Sequence, residues 1–453
     1  MGRIVVSTGP ERPSGRCGSP FGPFGPFGPF GRFGPSGPFG RFGKETMGKA
    51  RAHKWEFRPR FRRHAFGWRS QPAIRRVKQA VSEIKKVARK DAVLAAEGAV
   101  LFLEKVSPAL EHVDSSSGAI GTAVNRAITE LVAIIASAPV DETTREGWLE
   151  RLWEAYQNDG IPYIELLGDH WGDLCASKEV ASCWADRLIG TCKMAWSPDP
   201  NLRGFFKGTT NCLSSLLAAE RYDDVLALLE MEPHKMWDYR KFGVQALART
   251  GKKGEAIRYA EEERGLNDNP VAIARACEEI LLSSGMADEA YERYGIIANQ
   301  AGTYVAWFRA VAKKYPHKKP AEILDDLVAA TPGEEGKWFA AAKDAKLFDE
   351  AIALANRTPC SPQTLTRAAR DFEAENPTFA IAAGMAALRW LTEGYGYDIT
   401  SVDVLNAYAH TMKAAENAGS ADETRRRIHA LVSEEACGEH FVTKVLGRHL
   451  GLS

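Results

Sequence analysis

The stretch Phe348-Asp-Glu-Ala-Ile-Ala-Leu354 holds the pattern that decides the fold: acidic, small and apolar residues in turn, directly after a turn of the chain. The same pattern occurs in Tyr222-Asp-Asp-Val-Leu-Ala-Leu228, Lys253-Gly-Glu-Ala-Ile-Arg-Tyr259 and Ala287-Asp-Glu-Ala-Tyr-Glu-Arg293, with a poorer copy in Pro320-Ala-Glu-Ile-Leu-Asp-Asp326. Acidic residues in a first turn stabilise the positive end of the helix dipole. Each stretch is therefore predicted to open a helix.

The spacing of these copies is close to the length of a helical hairpin. The equivalent positions Val225, Ala256, Ala290, Glu322 and Ala351 are 31, 34, 32 and 29 residues apart. Periods near 34 with paired helices are typical of tetratricopeptide-like repeats, in which neighbouring pairs bury one another's apolar faces. Roughly residues 205–360 resemble that family, on the following positions: Phe242, Gly243, Ala246, Leu247, Ala256 and Tyr259. The resemblance implies an α-solenoid that binds a protein or peptide in a groove.

The remainder of the chain also favours helices. Apolar residues recur at three- and four-residue steps from residue 73 to 90, Asp91 and Asp141 are placed as N-caps, and Pro108 is expected to interrupt the helix that Asp91 begins. Residues 395–404 offer only a weak strand pattern. We predict an all-α protein with an N-terminal helical domain (72–200) and a tetratricopeptide-like repeat domain (201–453).

The charge of the chain is divided unequally. The formal net charge of +1 is the sum of +17 over residues 1–90 and −16 over residues 91–453. A near-neutral total therefore conceals a basic N-terminal part and an acidic body. A basic part of this size makes an anionic partner worth testing.

The basic part begins with a low-complexity segment over residues 1–46. It holds 12 of the 40 glycines, 8 of the 23 prolines and 7 of the 20 phenylalanines, in a run of Gly-Pro-Phe triplets. Such a composition predicts a disordered tail. Ordinary composition begins at Met47, so an alternative is that translation of the natural protein starts there.

Residues 47–71 form a basic arm in which aromatic residues alternate with arginines. Guanidinium groups bind phosphates in a forked geometry, and aromatic rings stack on unpaired bases. The candidate contact residues for a nucleic acid or another partner are Trp55, Arg58, Arg60, Arg62, Arg63, Trp68, Arg69, Arg75 and Arg76. The alternative is that the arm lies on the acidic body, with its aromatic side chains buried as anchors.

Sequence patterns for catalysis or metal binding are weak. His170, Asp173 and Cys175 are close in sequence, but a nucleophilic thiol needs its base and orienting group to converge in space. Cys437 and His440 lack the second short ligand pair that is usual for structural zinc. We predict no catalytic residue, no metal site and no cofactor. An enzyme with an unrecognised site is the least favoured alternative.

The location is predicted to be cytoplasmic, with no membrane partner. No stretch approaches 18 uninterrupted apolar residues, and the eight cysteines form no C-x-x-C pair, as expected for reduced thiols. The predicted function is a non-enzymatic protein-interaction module, with nucleic-acid association through the arm as the alternative. From about Met47 the chain also resembles a bacterial family of helical proteins, in the stretches at 56–74, 80–91 and 107–125, and this resemblance implies no activity.

Overall fold

A computed structural model describes residues 53–262, 269–435 and 440–451. The predicted tail (1–46) and the start of the arm lie outside these ranges. The described residues are helical and contain no strand, which confirms the all-α prediction for them. Residues 395–404, where the strand pattern is weak, form no strand, and a helix begins there at Ser401. The described residues from Lys54 onward form one compact unit.

The first helices surround the end of the basic arm. After a short 3-10 turn at Arg58–Arg60, the helices are α1 (Ser70–Ala88), α2 (Ala92–Leu110), α3 (Ala119–Ala136) and α4 (Glu142–Gln157). The predicted apolar stripe of α1 is buried, at Ala73, Ile74, Val77, Ala80, Val81 and Ile84. It packs on α2 and α3, which leaves the opposite side of α1 exposed.

Both predicted caps are present in this region. The carboxylate of Asp91 accepts a hydrogen bond from the Leu94 amide at 2.9 Å, and that of Asp141 accepts one from Thr144 at 2.7 Å. The expected interruption at Pro108 is wrong, since α2 continues through it to Leu110. The missing N–H of Pro108 removes one hydrogen bond of the helix, the one to the carbonyl four residues earlier, and the helix ends two residues later.

The middle of the chain continues with shorter helices around a tryptophan-rich core. A 3-10 turn at Glu165–Gly168 precedes α5 (Trp171–Cys175), α6 (Lys178–Ala195), α7 (Thr209–Ala218), α8 (Tyr222–Glu230), α9 (Trp237–Arg249) and α10 (Lys253–Glu262). Helices α6 and α7 pack on each other across the turn that contains Pro198 and Pro200. One apolar cluster therefore extends across the predicted domain boundary at residue 200.

The remaining helices complete a second apolar cluster. They are α11 (Pro270–Leu282), α12 (Ala287–Ala290) continued by a π-helical turn (Tyr291–Gly295) into α13 (Ile296–Ala298), α14 (Tyr304–Lys314), α15 (Pro320–Ala329), α16 (Phe339–Asp344), α17 (Phe348–Arg357), α18 (Pro362–Phe372), α19 (Pro377–Thr392), α20 (Ser401–Asn417), α21 (Ala421–Ser433) and α22 (Phe441–Leu450). A 3-10 turn at Glu335–Trp338 precedes α16. Helix α9 contributes residues to both clusters: Phe242 to the first and Val244 to the second.

The five motif copies open helices α8, α10, α12, α15 and α17 at the predicted residues. The small or apolar position is fully buried in the four good copies, at Val225, Ala256, Ala290 and Ala351. In the poorer copy the equivalent Glu322 is exposed. Burial of this position therefore follows the quality of the motif, as expected if it lets two helices approach closely.

Several of these helices are preceded by the same turn. A residue with positive φ ends the previous helix, and the amide after it donates a hydrogen bond to a carbonyl five residues earlier, which is the Schellman geometry. Pairs with this bond are Arg221–Leu216, Lys252–Leu247, Met286–Leu281, Leu347–Ala342 and Ser420–Ala415, at 2.8–3.0 Å. Gly251, Gly285 and Gly419 hold the positive φ in three of the turns, and Glu220 and Lys346 hold it in two.

Helix α3 has the length and composition of a helix that could cross a membrane, a test that core helices of soluble proteins also pass. Here it packs against α1, α2 and α5, and its outward side carries Arg126 and Glu130. We interpret α3 as a core helix. The cysteines within the described residues are free thiols, at Cys175, Cys183, Cys192, Cys212, Cys277 and Cys360.

Candidate anion-binding surface

The aromatic residues of the arm divide between the core and the surface. Trp55, Phe57 and Phe61 are buried, and the rings of Phe57 and Phe61 lie edge-on to the ring of Phe102 in α2, with centroids 5.7 and 5.0 Å away. Trp55 fills the space beside Gly98, where an added Cβ would lie 2.1 Å from the indole. Trp55 therefore anchors the arm, and its ring has no face available to a base.

The backbone of the arm is tied down at both ends of its described part. The carboxylate of Glu83 in α1 accepts hydrogen bonds from the amides of Glu56 and Phe57, at 2.7 and 3.1 Å. Further along, the His64 amide donates to the carbonyl of Pro108 at 3.0 Å. The path of the arm over α1 and α2 is thus fixed by contacts that use none of its arginines.

Most of the predicted arginine contacts face solvent. Arg58, Arg62, Arg69 and Arg75 are exposed, and no carboxylate of the described residues lies within 4 Å of them. Arg60 and Arg63 make long pairs, at 3.9 Å to Glu56 and 3.8 Å to Glu111, and Arg76 hydrogen-bonds Gln79. The prediction that the arm lies on the body with buried aromatics thus agrees with these contacts, whereas its cations do little to neutralise the acidic body.

Further cations on α1 extend this surface. Lys78, Lys85, Lys86 and Arg89 are exposed along the side of α1 opposite its buried stripe. We define the basic surface as the exposed cations of the described arm, of α1 and of the two residues after α1, together with Arg126: Lys54, Arg58, Arg60, Arg62, Arg63, Arg69, Arg75, Lys78, Lys85, Lys86, Arg89, Lys90 and Arg126. The α1 lysines were not among the predicted contacts, although their spacing off the apolar stripe could have identified them.

A cleft of about 500 Å³ lies between α1 and α3 within the basic surface. Its floor is apolar, from Val77 and Val81, and its rim carries cations of both helices. Glu130 is the acid of this rim, and its carboxylate lies 2.8 Å from Lys85 Nζ and 3.2 Å from Arg126 Nε. The hydrogen bond from Lys85 lowers the pKa of Glu130, with Arg126 acting in the same direction. Glu130 is thus an anion that competes for two of these cations.

A second cleft of about 450 Å³ lies on the other side of α1, against the arm. Arg60, Arg76 and Lys86 line it together with the acids Glu56 and Glu83. Glu83 already accepts hydrogen bonds from two backbone amides of the arm, so this acid serves mainly to hold the arm. Lys86 lines both clefts and so connects their two rims.

Trp68 differs from the other aromatic residues of the arm. Its side chain is 72% exposed, although it lies only two residues before α1 begins. Its carbonyl accepts a hydrogen bond from the Asp114 amide at 2.9 Å, so its backbone is held in place. Of the two tryptophans predicted as contacts, Trp68 is the one whose ring can reach a ligand.

The other sequence candidate, at His170, Asp173 and Cys175, has a hydrogen-bonded histidine and a buried thiol. His170 Nδ1 lies 3.1 Å from a carboxylate oxygen of Asp173, whereas Cys175 is buried. Burial raises the pKa of the Cys175 thiol to about 12, so the nucleophilic thiolate is disfavoured. Cys437 lies outside the described residues. Within them, no group of three His, Cys, Asp or Glu side chains is placed to hold a metal ion.

No known protein-family profile matches this chain, and no curated protein sequence is significantly similar to it. Both resemblances, to tetratricopeptide repeats and to the bacterial family of helical proteins, therefore stay predictions. The basic surface has to be interpreted from its own chemistry.

Proposed function

We propose that this chain is a non-enzymatic protein that associates with nucleic acid through the basic surface. One observation carries the proposal: a set of exposed cations on the arm and α1 has no carboxylate partner among the described residues. Concentrated like charge on one surface repels itself and gains free energy when phosphates neutralise it.

The dimensions of the surface suit an extended phosphate backbone. Arg75 and Arg89 are 14 residues apart, which corresponds to about 21 Å along a helix at 1.5 Å per residue. This length covers several phosphates of one strand. The arginines of the arm add forked donors, which bind a phosphate through two parallel hydrogen bonds.

The test is a salt series on the full chain. We would measure the affinity for a 20-nucleotide fluorescent oligonucleotide by anisotropy at several KCl concentrations. The affinity should fall steeply with salt, because phosphate contacts release bound counterions. In the triple variant Arg75→Gln, Lys78→Gln and Arg89→Gln, the slope of log affinity against log salt should become shallower by about 2, at roughly 0.7 per phosphate contact.

A matched control changes three exposed arginines elsewhere, in α21: Arg425→Gln, Arg426→Gln and Arg427→Gln. It removes the same net charge from the molecule but none from the basic surface. An unchanged slope in this control supports the proposal. Equal loss in both triple variants would show that only overall charge matters, and absence of salt-dependent binding by the unaltered protein would refute the proposal.

A second candidate function is a protein-binding scaffold built from tetratricopeptide-like hairpins. The repeated Schellman turns and the buried motif positions favour it, since both are expected of stacked helical pairs. A cytoplasmic location fits either function, because the cysteines of the described ranges are free thiols. Deleting one complete hairpin, residues 209–230, and comparing captured partners with those of the full chain would test the scaffold.

A further inference from the structure

Trp68 is an exposed aromatic ring on a surface where most cations have no carboxylate partner among the described residues. Within the same arm, Trp55 is 5% exposed and Phe57 and Phe61 less than that, so the fold has buried the rings that it needs for anchoring. Trp68 contributes 72% of its surface to solvent. A large indole is among the residues that folding most readily removes from water, so an exposed one is informative.

The backbone that carries the ring is held in position by a contact with the loop after α2. The Trp68 carbonyl accepts a hydrogen bond from Asp114, and α1 begins at Ser70. Arg69, beside it in the chain, and Arg75, in the first turns of α1, are both exposed. A ligand that places an aromatic face on Trp68 therefore has phosphate-binding groups within a few residues along the chain.

We propose that Trp68 is a stacking platform for an unpaired base, and hence that the partner of the basic surface is single-stranded nucleic acid. This inference rests on the proposed nucleic-acid association. Every base has a flat aromatic face, so stacking on an indole tolerates any sequence. In a duplex both faces of each internal base are covered by its neighbours, so Trp68 has no base to stack on.

The aliphatic cleft between α1 and α3 is suited to binding phosphates rather than bases. Its floor of Val77 and Val81 offers no aromatic face, and its rim offers charge. The cleft and the exposed side of α1 thus bind backbone phosphates, whereas Trp68 contacts bases. Such a surface distinguishes single strands from duplexes without reading sequence.

The experiment compares three labelled ligands with the full chain at one salt concentration: dT20, rU20 and a 20-base-pair duplex. We expect the unaltered protein to bind at least one single strand more tightly than the duplex. Trp68→Ala should weaken single-strand binding about tenfold and leave duplex binding within about twofold, since stacking contributes on that scale. Trp68→Phe, which keeps a ring, should recover part of the loss.

Tyr397→Ala is the matched control, because Tyr397 is 85% exposed and lies in the loop between α19 and α20. It should bind all three ligands like the unaltered protein. The dT20 and rU20 arms decide whether the strand is DNA or RNA. The inference is overturned if Trp68→Ala leaves single-strand affinity unchanged, or lowers single-strand and duplex affinity equally, while salt-dependent binding persists. If no ligand binds, the proposed function itself fails.

Discussion

Arg151 in α4 and the cations of α1 show two different uses of positive charge in one chain. Arg151 lies between two carboxylates of α2, at 2.7 Å from both Glu97 and Glu104, and its side chain is 34% exposed. The hydrogen bonds to Glu104 and then Glu97 raise the pKa of its guanidinium. Arg75 and Lys78, on α1, have no such partner in the described part of the chain. The first cation joins helices, whereas the others remain available to an external anion.

The same internal use recurs in the acidic body. Arg221 contacts Asp186 at 2.5 Å and Asp224 at 2.7 Å, and Arg309 makes a forked pair with Asp344. Cations of the body therefore engage some of its acids, as Arg151 does in α4.

The largest loss of stability is expected from a variant that removes an anchor of the arm. Phe61→Ala removes a buried ring that touches Phe102 and should lower the free energy of unfolding by about 3–5 kcal/mol. Urea denaturation followed by circular dichroism would measure it. Phe205→Ala is the control, because Phe205 is 81% exposed and its loss should cost less than about 0.5 kcal/mol. Equal stability of the two variants would show that the arm is not part of the folded core.

A smaller loss of stability is expected from a variant that tests the comparison of Arg151 with the cations of α1. Arg151→Met keeps most of the side-chain volume but leaves Glu97 and Glu104 without their shared partner. We expect a loss of about 1 kcal/mol in unfolding free energy, since the group is partly exposed and solvent screens the pair. Arg75→Met should change it by less than about 0.5 kcal/mol. If Arg75→Met were the more damaging change, the division into internal and available cations would be wrong.

The smallest effect on stability is expected at Glu130. Its carboxylate pairs internally with cations that belong to the basic surface. Glu130→Gln frees Lys85 and Arg126 and should tighten nucleic-acid binding by about two- to fivefold, at a stability cost below about 1 kcal/mol. Anisotropy titration would measure the gain. Glu322→Gln, an exposed acid of α15, is the control and should leave affinity unchanged. A loss of affinity in Glu130→Gln would mean that the cleft needs its acid.

The contribution of Glu130 to stability should depend on pH, in the direction set by its lowered pKa. The pKa of Glu130 is lowered in the folded state, so its pairing stabilises the protein above the ordinary glutamate pKa and is lost as the pH falls through the lowered value. In Glu130→Gln that part of the acid sensitivity should disappear. Denaturation curves at pH 7 and pH 4 would show a smaller difference for the variant than for the unaltered protein.

The helix starts at the five motif copies were the most predictable part of the fold. The five motif copies begin helices at the predicted residues because acids, small residues and apolar residues act within one turn of the chain. The turn that precedes these helices could be predicted only in part. Glycine indicates it at Gly251 and Gly285, but Glu220 and Lys346 take the same backbone conformation with positive φ. Whether a residue other than glycine takes this conformation depends on how the two helices pack, and the neighbouring sequence does not indicate it.

The sequence by itself determined where the motif helices begin, the concentration of cations in the arm and α1, and the presence of aromatic residues among them. Only the tertiary structure decided that Trp55 is an anchor and Trp68 is exposed. Both are tryptophans in a basic, aromatic stretch, so local composition does not separate them. The difference comes from Gly98, far along the chain, whose missing side chain makes room for one indole, whereas no described helix covers the other.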